Sequence, residues 1–114
     1  MWDITITLQG EQLVSRAIAG EKLQFTRVQM GKAYNTGAPH LATGVQDLVA
    51  EALINSIEQA GNNIAVTCQF SNLKGLSFFH RELALFARIE NEADSVIAYG
   101  YNGNPVYIDG SLPN

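Results

Sequence analysis

Residues 75–90, GLSFFHRELALFARIE, constrain the fold more than any other part of the chain because three ionisable side chains stand between two strongly apolar runs. In an extended strand successive side chains point to opposite faces of the sheet, so His80 and Glu82 share one face and Arg81 lies on the other. The pattern predicts a strand over 78–90. We therefore expect Arg81 and Glu82 to point in opposite directions and to form no local ion pair.

The same triplet permits a catalytic interpretation, in which Glu82 and His80 act as base and orienting residue beside a nucleophile such as Ser77. Such a site needs hydrogen-bond contact between its members, whereas side chains two residues apart on a strand are about 6–7 Å apart. We therefore favour a structural carboxylate at Glu82, satisfied by a backbone amide or by an arginine, Arg27 or Arg81. The chain is accordingly predicted not to be an enzyme and to have no catalytic residues.

The composition indicates a single, turn-rich globular domain. Of the 114 residues 46% are hydrophobic and ten are glycine, which favours a packed core with many turns. The net charge is −4 and no basic stripe could neutralise several phosphates, so nucleic acid is not an expected partner. The N-terminus has no basic region, and no apolar run approaches the ~18 residues of a membrane span, so we expect a soluble chain without an export signal.

Residue types that carry metal or thiol chemistry are sparse. Cys68 is the only cysteine, and its setting in AVTCQF predicts a small buried residue of a strand rather than a nucleophilic thiol. His40 and His80 have no carboxylate at ligand spacing, and the glycine-bearing stretches lack the spacing of a phosphate-binding loop. We therefore predict no metal ligands, no cofactor and no cofactor-binding residues.

The N-terminal region predicts a short extended piece and then a helix. Residues 3–7 alternate polar and β-branched side chains, and Thr7 is placed to cap a helix that has Glu11 in its first turn. Gly20 is expected to end this helix. Its apolar stripe consists of Leu13, Val14, Ala17 and Ile18.

The next region predicts a strand and then a long loop. Residues 22–30 alternate with a period of two and change phase near Thr26, which indicates a strand with a bulge. Residues 31–44 contain three glycines and a proline without a period, so they predict the longest loop of the chain. Functional residues would be expected in that loop.

Residues 45–59 carry two competing patterns. Their apolar residues fit a helical stripe, whereas the turn AGNN at 60–63, directly before IAVTCQF, predicts a hairpin with 52–59 as its first arm. The residues alone leave both alternatives open. Further along, the apolar stretch 95–102 is expected to pair back onto the strand that begins at residue 78.

Four stretches of the sequence, taken together, carry a family resemblance. They are TITLQGEQLVSRAIAGEKLQFTRVQMGKA at 5–33, VQDLVAEALINSIEQAGNNIAVTCQFSN at 45–72, FFHRELALFAR at 78–88 and SVIAYGYNGNPVYIDG at 95–110. They resemble the N-terminal domain of bacteriophage tail-collar fibre proteins, the tail fibres of phages and of contractile injection systems such as phage-tail-like bacteriocins. The resemblance covers nearly the whole chain.

The resemblance places Glu82 on an acidic position that the family shares. The chain departs from the family's sequence pattern at two positions, because Ala84 replaces the usual glycine and Lys32 replaces an aspartate that often follows Gly31. These changes imply a different shape for the loop between those positions. The family has no catalytic residues to transfer to this chain.

The resemblance implies a structural, non-enzymatic component of a virion or tail-like particle that anchors a tail fibre to the baseplate for host attachment. Baseplate or tail proteins are the implied partners, a homotrimer is the implied assembly, and no membrane insertion is expected. Residues 1–110 would form the attachment domain, and 111–114 would begin a linker to a downstream shaft whose parts bind the host receptor. Assembly would take place in the bacterial cytoplasm, and the final location would be the virion tail.

Two rival functions follow from the residues themselves. A small carbohydrate-binding module would contact host surface glycans directly through an aromatic and amide surface. A hydrolase would use His80 and Glu82. The residues of the carbohydrate surface would be Tyr99, Tyr101, Tyr107, Asn102 and Asn104.

The predicted fold is α+β, with one N-terminal helix packed on a mostly antiparallel β-sheet. Because the resemblance implies a strand at INSI, 52–59 is taken as strand and only about 45–50 as helix. The predicted strands cover 22–30, 52–59, 63–71, 78–90 and 95–101. The predicted core consists of Leu13, Val14, Ile18, Phe25, Val28, Ile54, Val66, Cys68, Leu83, Leu85 and Ile97.

Overall fold

One helix packs on an antiparallel sheet, as the α+β prediction requires. The computed structural model describes residues 2–34, 37–61, 63–70 and 74–110, and within them the sheet has six strands in the order β1-β6-β5-β2-β3-β4. The elements are β1 Asp3–Ile6, α1 Leu8–Ile18, β2 Leu23–Gly31, a 3₁₀ turn Pro39–Leu41, β3 Leu48–Ala60, β4 Asn63–Gln69, β5 Phe78–Ile89 and β6 Ser95–Ile108.

Helix α1 begins at the predicted cap. Thr7 is fully buried, and its Oγ1 accepts the N–H of Gly10 at 2.9 Å while donating to the carbonyl of Val96 at 2.5 Å. The same side chain therefore caps the helix and ties its first turn to β6. The helix ends at Ile18 with Ala19 as its C-cap residue, and Gly20 follows with φ of 106°, a left-handed conformation that favours glycine.

The two hydrogen bonds of Thr7 lead to a stability prediction. Replacing Thr7 by valine keeps the shape but removes the hydroxyl, so we expect the free energy of unfolding to fall by about 1–2 kcal/mol. Urea unfolding followed by circular dichroism measures this change. Thr7→Ser keeps the hydroxyl and serves as the control; equal stability of the two variants would contradict the capping role.

The apolar stripe of α1 packs only in part, so two predicted core residues are wrong. Leu13 is buried among residues of β5 and β6, whereas Val14 and Ile18 are 38% and 83% exposed. Helical spacing places these residues on one side of the helix, but the sheet beneath α1 covers only part of that side. Val14 and Ile18 instead line a groove between α1 and β2.

The bulge predicted near Thr26 is confirmed. The pairing of β2 with β5 passes from Phe25 opposite Ala87 to Arg27 opposite Phe86, so Thr26 is the additional residue. The register between β2 and β3 begins at Arg27. The bulge therefore coincides with the point where β3 joins the sheet.

The prediction of helix for about 45–50 is wrong. Strand β3 starts at Leu48, and its residues pair with β2 from Leu48 opposite Gly31 to Leu53 opposite Arg27. Ala50 and Ala52 lie opposite Met30 and Val28. Pairing with a buried neighbouring strand overrides the helical spacing of the apolar residues. The strand predicted for 52–59 is confirmed.

The last strands also differ in extent from the prediction. Strand β6 continues to Ile108 rather than ending near 101, because the pairing resumes with Val106 opposite His80 after an irregularity. The additional residues of β6 lie between Tyr101 and Val106. Strand β4 ends at Gln69; residue 71, the end of the range predicted for it, and the predicted linker at 111–114 lie outside the described residues.

The core consists of three clusters. Two of them share Leu85 and lie on the helix side of the sheet, and the third occupies the opposite side under Val45. Of the predicted core, Leu13, Val28 and Ile97 are buried, and Phe25, Ile54, Leu83 and Leu85 pack against the clusters. The cluster members are Leu13, Ala87, Ile89, Ile97 and Ala98; Val28, Met30, Ala52 and Phe78; and Ala84, Phe86 and Val96.

The prediction of a buried Cys68 is wrong. Strand β4 is an edge strand of the sheet, and Cys68, opposite Ile54, is exposed. Val66 of the same strand is only partly buried and lines the groove beside α1. A strand pattern alone does not reveal that a strand lies at the edge of a sheet, where it has a neighbouring strand on one side only.

Candidate functional site

Glu82 connects the two ends of the loop 32–47 through hydrogen bonds. It is fully buried; its Oε1 accepts the N–H groups of Ala33 at 3.0 Å and Asp47 at 3.1 Å, and its Oε2 accepts that of Gln46 at 2.8 Å. The hydroxyl of Tyr99 donates to Oε2 at 2.5 Å. We call this arrangement the Glu82 latch. It confirms a structural carboxylate that is satisfied by backbone amides.

The Glu82 latch depends on close packing around the carboxylate. A Cβ atom on Gly31 would lie 2.6 Å from Glu82 Oε1 and 2.9 Å from the carbonyl oxygen of Asp47. Burial and the neighbouring carboxylate raise the pKa of Tyr99, so its hydroxyl stays protonated and donates to Glu82. The latch therefore needs an amino acid without a side chain at Gly31 and a hydroxyl at Tyr99.

Of the two kinds of partner expected for Glu82, a backbone amide is confirmed and an arginine is wrong. Arg27 bonds to Asp94 through Nε at 3.0 Å and to Glu51 through Nη1 at 2.5 Å, and its guanidinium lies 4.0 Å from the centre of the Phe86 ring. Hydrogen bonds from Arg27 and then Thr26 hold the pKa of Asp94 below its usual value. The backbone amides reach the buried Glu82 instead.

Arg81 lies against two aromatic rings, one of which, Tyr34, belongs to the loop that Glu82 holds. Its guanidinium carbon is 4.3 Å from the centre of the Tyr34 ring and 5.2 Å from that of Phe79. Tyr34 follows Ala33, whose amide binds Glu82. Arg81 and Glu82 therefore contact neighbouring residues of the same loop, although alternation along a regular strand predicts opposite orientations for them.

The environment of His80 differs from those of Glu82 and Arg81. Its ring is half-buried at 4.9 Å from the ring of Trp2, and burial lowers its pKa more than a hydrogen bond with the Glu82 backbone raises it. Its buried Nε2 has no hydrogen-bond partner in the part of the chain that the structure describes. Ser77 Oγ accepts the N–H of Gly110 at 3.0 Å. The side chains of Ser77, His80 and Glu82 thus have different partners, and the contact between His80 and Glu82 involves only the Glu82 backbone.

The remaining candidates are dispersed. His40 is exposed and hydrogen-bonded to Glu11, and no group of three or more potential metal ligands occurs within residues 2–34, 37–61, 63–70 and 74–110. Tyr99 is buried in the Glu82 latch, so it cannot contribute to a glycan-binding surface. Tyr101 donates its hydroxyl to the carbonyl of Tyr34. Of the three tyrosines proposed for that surface, Tyr107 is exposed.

A polar and aromatic depression lies beside the latch, and we call it the aromatic cleft. It has a volume of about 350 Å³, and its exposed rings belong to Tyr34, Phe79 and Tyr107. The rings of Phe79 and Tyr107 are 4.9 Å apart. Its other lining residues are Lys32, Asp47, Ser77, Phe78 and Arg81.

A second depression shares no lining residue with the aromatic cleft, and we call it the helix-side groove. It has a volume of about 450 Å³, and apolar residues of α1, β1, β2, β4, β5 and β6 line it. Ile18, at the end of α1, is 83% exposed beside it. Its lining includes Ile6, Val14, Ile18, Leu23, Phe25 and Val66.

The sequence did not indicate that the residues of the aromatic cleft lie together. Tyr107 was a candidate, but Tyr34 lies in the loop after β2, Phe79 and Arg81 lie in β5, and Tyr107 lies in β6. No local spacing connects these positions. The aromatic residues at the ends of two apolar strands were the signal that could have indicated a shared surface.

No family model matches the sequence, and no curated protein or solved structure matches it significantly. Within the described residues, no helix combines the length and the apolar character that a membrane crossing requires.

Proposed function

We propose that the chain is the N-terminal attachment module of a tail fibre of a phage or a contractile injection system, and that it anchors the fibre to the baseplate without catalysing a reaction. The resemblance of 5–33, 45–72, 78–88 and 95–110 supports this function. The helix-side groove is the structural observation that carries it, because an attachment module needs a surface that binds a partner.

The helix-side groove has the properties of a protein-binding surface. Apolar residues line it, and the side chains of Ile6, Val14 and Ile18 remain exposed around it. Exposed apolar patches of this kind mark interaction sites, since covering them removes apolar area from water. We propose that an apolar segment of a baseplate or tail protein binds there.

The proposal includes an assembly and a location. The resemblance supports a homotrimer, a downstream shaft that carries the receptor-binding parts, and a final position in the virion tail. Light scattering during size-exclusion chromatography tests the assembly, with an expected mass of three times the 12.4 kDa of the chain. A mass of one chain at micromolar concentration would contradict the trimer.

Deletion of the domain tests the anchoring function. We expect that removal of residues 1–110 from the fibre gene yields particles without fibres, while the isolated remainder of the fibre still binds host cells. Electron microscopy counts the fibres, and a cell-binding assay measures the second property. Particles that retain their fibres after the deletion would contradict anchoring by this domain.

A point substitution separates binding at the groove from folding. Ile18→Asp is expected to reduce fibre incorporation at least about tenfold with little change in melting temperature, because Ile18 is already exposed. Leu53→Asp is the matched control, since Leu53 is 76% exposed on β3 and lies outside the lining of the groove. Equal incorporation of the two variants would show that the groove is not the docking surface.

A further inference from the structure

The aromatic cleft combines aromatic rings, two cationic side chains and hydrogen-bond acceptors in one small depression. Tyr34 is 80% exposed, and the adjacent rings of Phe79 and Tyr107 are also accessible. Aromatic faces carry partial negative charge and attract the weakly positive C–H groups on one face of a saturated ring. These rings can therefore cover the apolar face of a cyclic ligand.

Two cations line the cleft without an anionic partner among the described residues. Arg81 is held between the rings of Tyr34 and Phe79, and within the described residues neither Arg81 nor Lys32 forms an ion pair. A stacked guanidinium still presents its N–H edge, which matches the geometry of a carboxylate. The cleft is therefore suited to an anionic group on the ligand, although the chain as a whole has a net charge of −4.

The cleft also contains groups that can bind hydroxyls. The carboxylate of Asp47 lines it and can accept hydrogen bonds. The hydroxyl of Ser77 accepts the N–H of Gly110 and can still donate its own proton. The Glu82 latch fixes the backbone of Asp47, so this side of the cleft has a defined position before any ligand arrives.

We propose that the aromatic cleft binds an acidic sugar, a hexuronate residue of a polysaccharide. The rings of Tyr34, Phe79 and Tyr107 contact the C–H face of the sugar. Arg81 and Lys32 bind its carboxylate, and Asp47 and Ser77 bind its hydroxyls. The volume of about 350 Å³ lies near the lower end of the ~300–1,000 Å³ range of ligand sites, which corresponds to one or two sugar residues.

This site is independent of the proposed anchoring function, because the aromatic cleft and the helix-side groove share no lining residue. The anchor could fail its deletion test while the cleft still binds sugar, and the reverse also holds. Separate experiments therefore decide the two proposals.

Isothermal titration calorimetry of the whole chain with digalacturonate tests the site. We expect a dissociation constant of about 1 mM, as is usual for a small exposed site. The methyl ester of the same disaccharide keeps the rings and loses the charge, so it should bind at least about tenfold more weakly. Citrate, an anion without a sugar ring, should fail to compete.

Substitutions locate the binding at the cleft. Arg81→Ala should weaken digalacturonate binding about tenfold, and Arg81→Lys should weaken it less, since the charge remains but the planar fork is lost. Arg88→Ala is the matched control, because Arg88 is an arginine of the same strand that bonds to Gln24 outside the cleft. Its binding should equal that of the unmodified chain.

Several outcomes would overturn the proposal. The first is absence of binding at a digalacturonate concentration about 20 times the expected dissociation constant of about 1 mM. The others are equal binding of the acid and its methyl ester, competition by citrate, and equal loss of binding in Arg81→Ala and Arg88→Ala. The comparison of acid and ester uses the unmodified chain, so it remains decisive even if Arg81→Ala does not fold.

Discussion

Replacing Glu82 by alanine is expected to lower the free energy of unfolding by about 3–5 kcal/mol, a large part of the stability of a domain of this size. The substitution leaves the amides of Ala33, Gln46 and Asp47 and the hydroxyl of Tyr99 without their shared acceptor. Each buried donor without a partner costs about 1–3 kcal/mol, although water that enters the space restores part of this. Urea unfolding measures the total.

Amide hydrogen exchange gives a second measurement of the same substitution. If Glu82 holds the loop, exchange at Ala33, Gln46 and Asp47 should accelerate at least about tenfold in Glu82→Ala under conditions where the rest of the sheet stays protected. Uniform acceleration across the sheet would instead indicate global destabilisation only. Unchanged exchange at the three amides would contradict the Glu82 latch.

Two further variants serve as matched comparisons. Tyr99→Phe removes one of the four donors and leaves the three amides satisfied, so the loss should be about 1–2 kcal/mol. Glu51→Ala removes an exposed partner of Arg27 and should cost less than about 1 kcal/mol. If Glu82→Ala lowers the free energy of unfolding no more than Glu51→Ala does, the buried carboxylate contributes no more to stability than an exposed one.

Replacing Gly10 by alanine is expected to lower the free energy of unfolding by about 2–3 kcal/mol. Helix propensity alone predicts the opposite sign, because alanine is favoured over glycine by about 1 kcal/mol in a helix. A Cβ on Gly10 would lie 2.1 Å from the carbonyl oxygen of Ile97, which also accepts the N–H of Thr7 at 3.1 Å. Helix α1 would have to move away from β6 to relieve the contact.

Gly103→Ala is the control for Gly10→Ala, since a Cβ at Gly103 would meet no atom within 4 Å. We expect its stability to remain within about 0.5 kcal/mol of the unmodified chain. Thermal unfolding of the two variants under identical conditions measures the difference. A neutral or stabilising Gly10→Ala would show that α1 does not approach the backbone of Ile97 so closely.

Local patterns predicted most elements of the fold. The cap at Thr7, the bulge at Thr26 and the strand that begins at Phe78 each depend on residues within a few positions of one another. The same kind of reasoning was wrong for 45–50, where apolar residues at helical spacing form the beginning of β3 instead. Pairing with β2 decided that segment, and β2 is distant in sequence.

The site was predictable only in its chemical type. The position of Glu82 between apolar runs indicated a buried carboxylate that needs hydrogen-bond donors, and that expectation is confirmed. Its backbone partners come from a loop some 35–49 residues earlier in the sequence, as the separations of these hydrogen bonds show. The expectation of an arginine partner failed because both candidate guanidiniums bind elsewhere.

The sequence by itself determined most of the segments that extend, where α1 begins and ends, and that an acid at position 82 would lie among apolar neighbours. These properties follow from backbone geometry and side-chain periodicity within one segment. Only the tertiary structure decided which apolar residues stay uncovered, as at Ile18, and which rings gather around Arg81. Burial and contact are set by the segments that pack against a residue, and these segments come from distant parts of the chain.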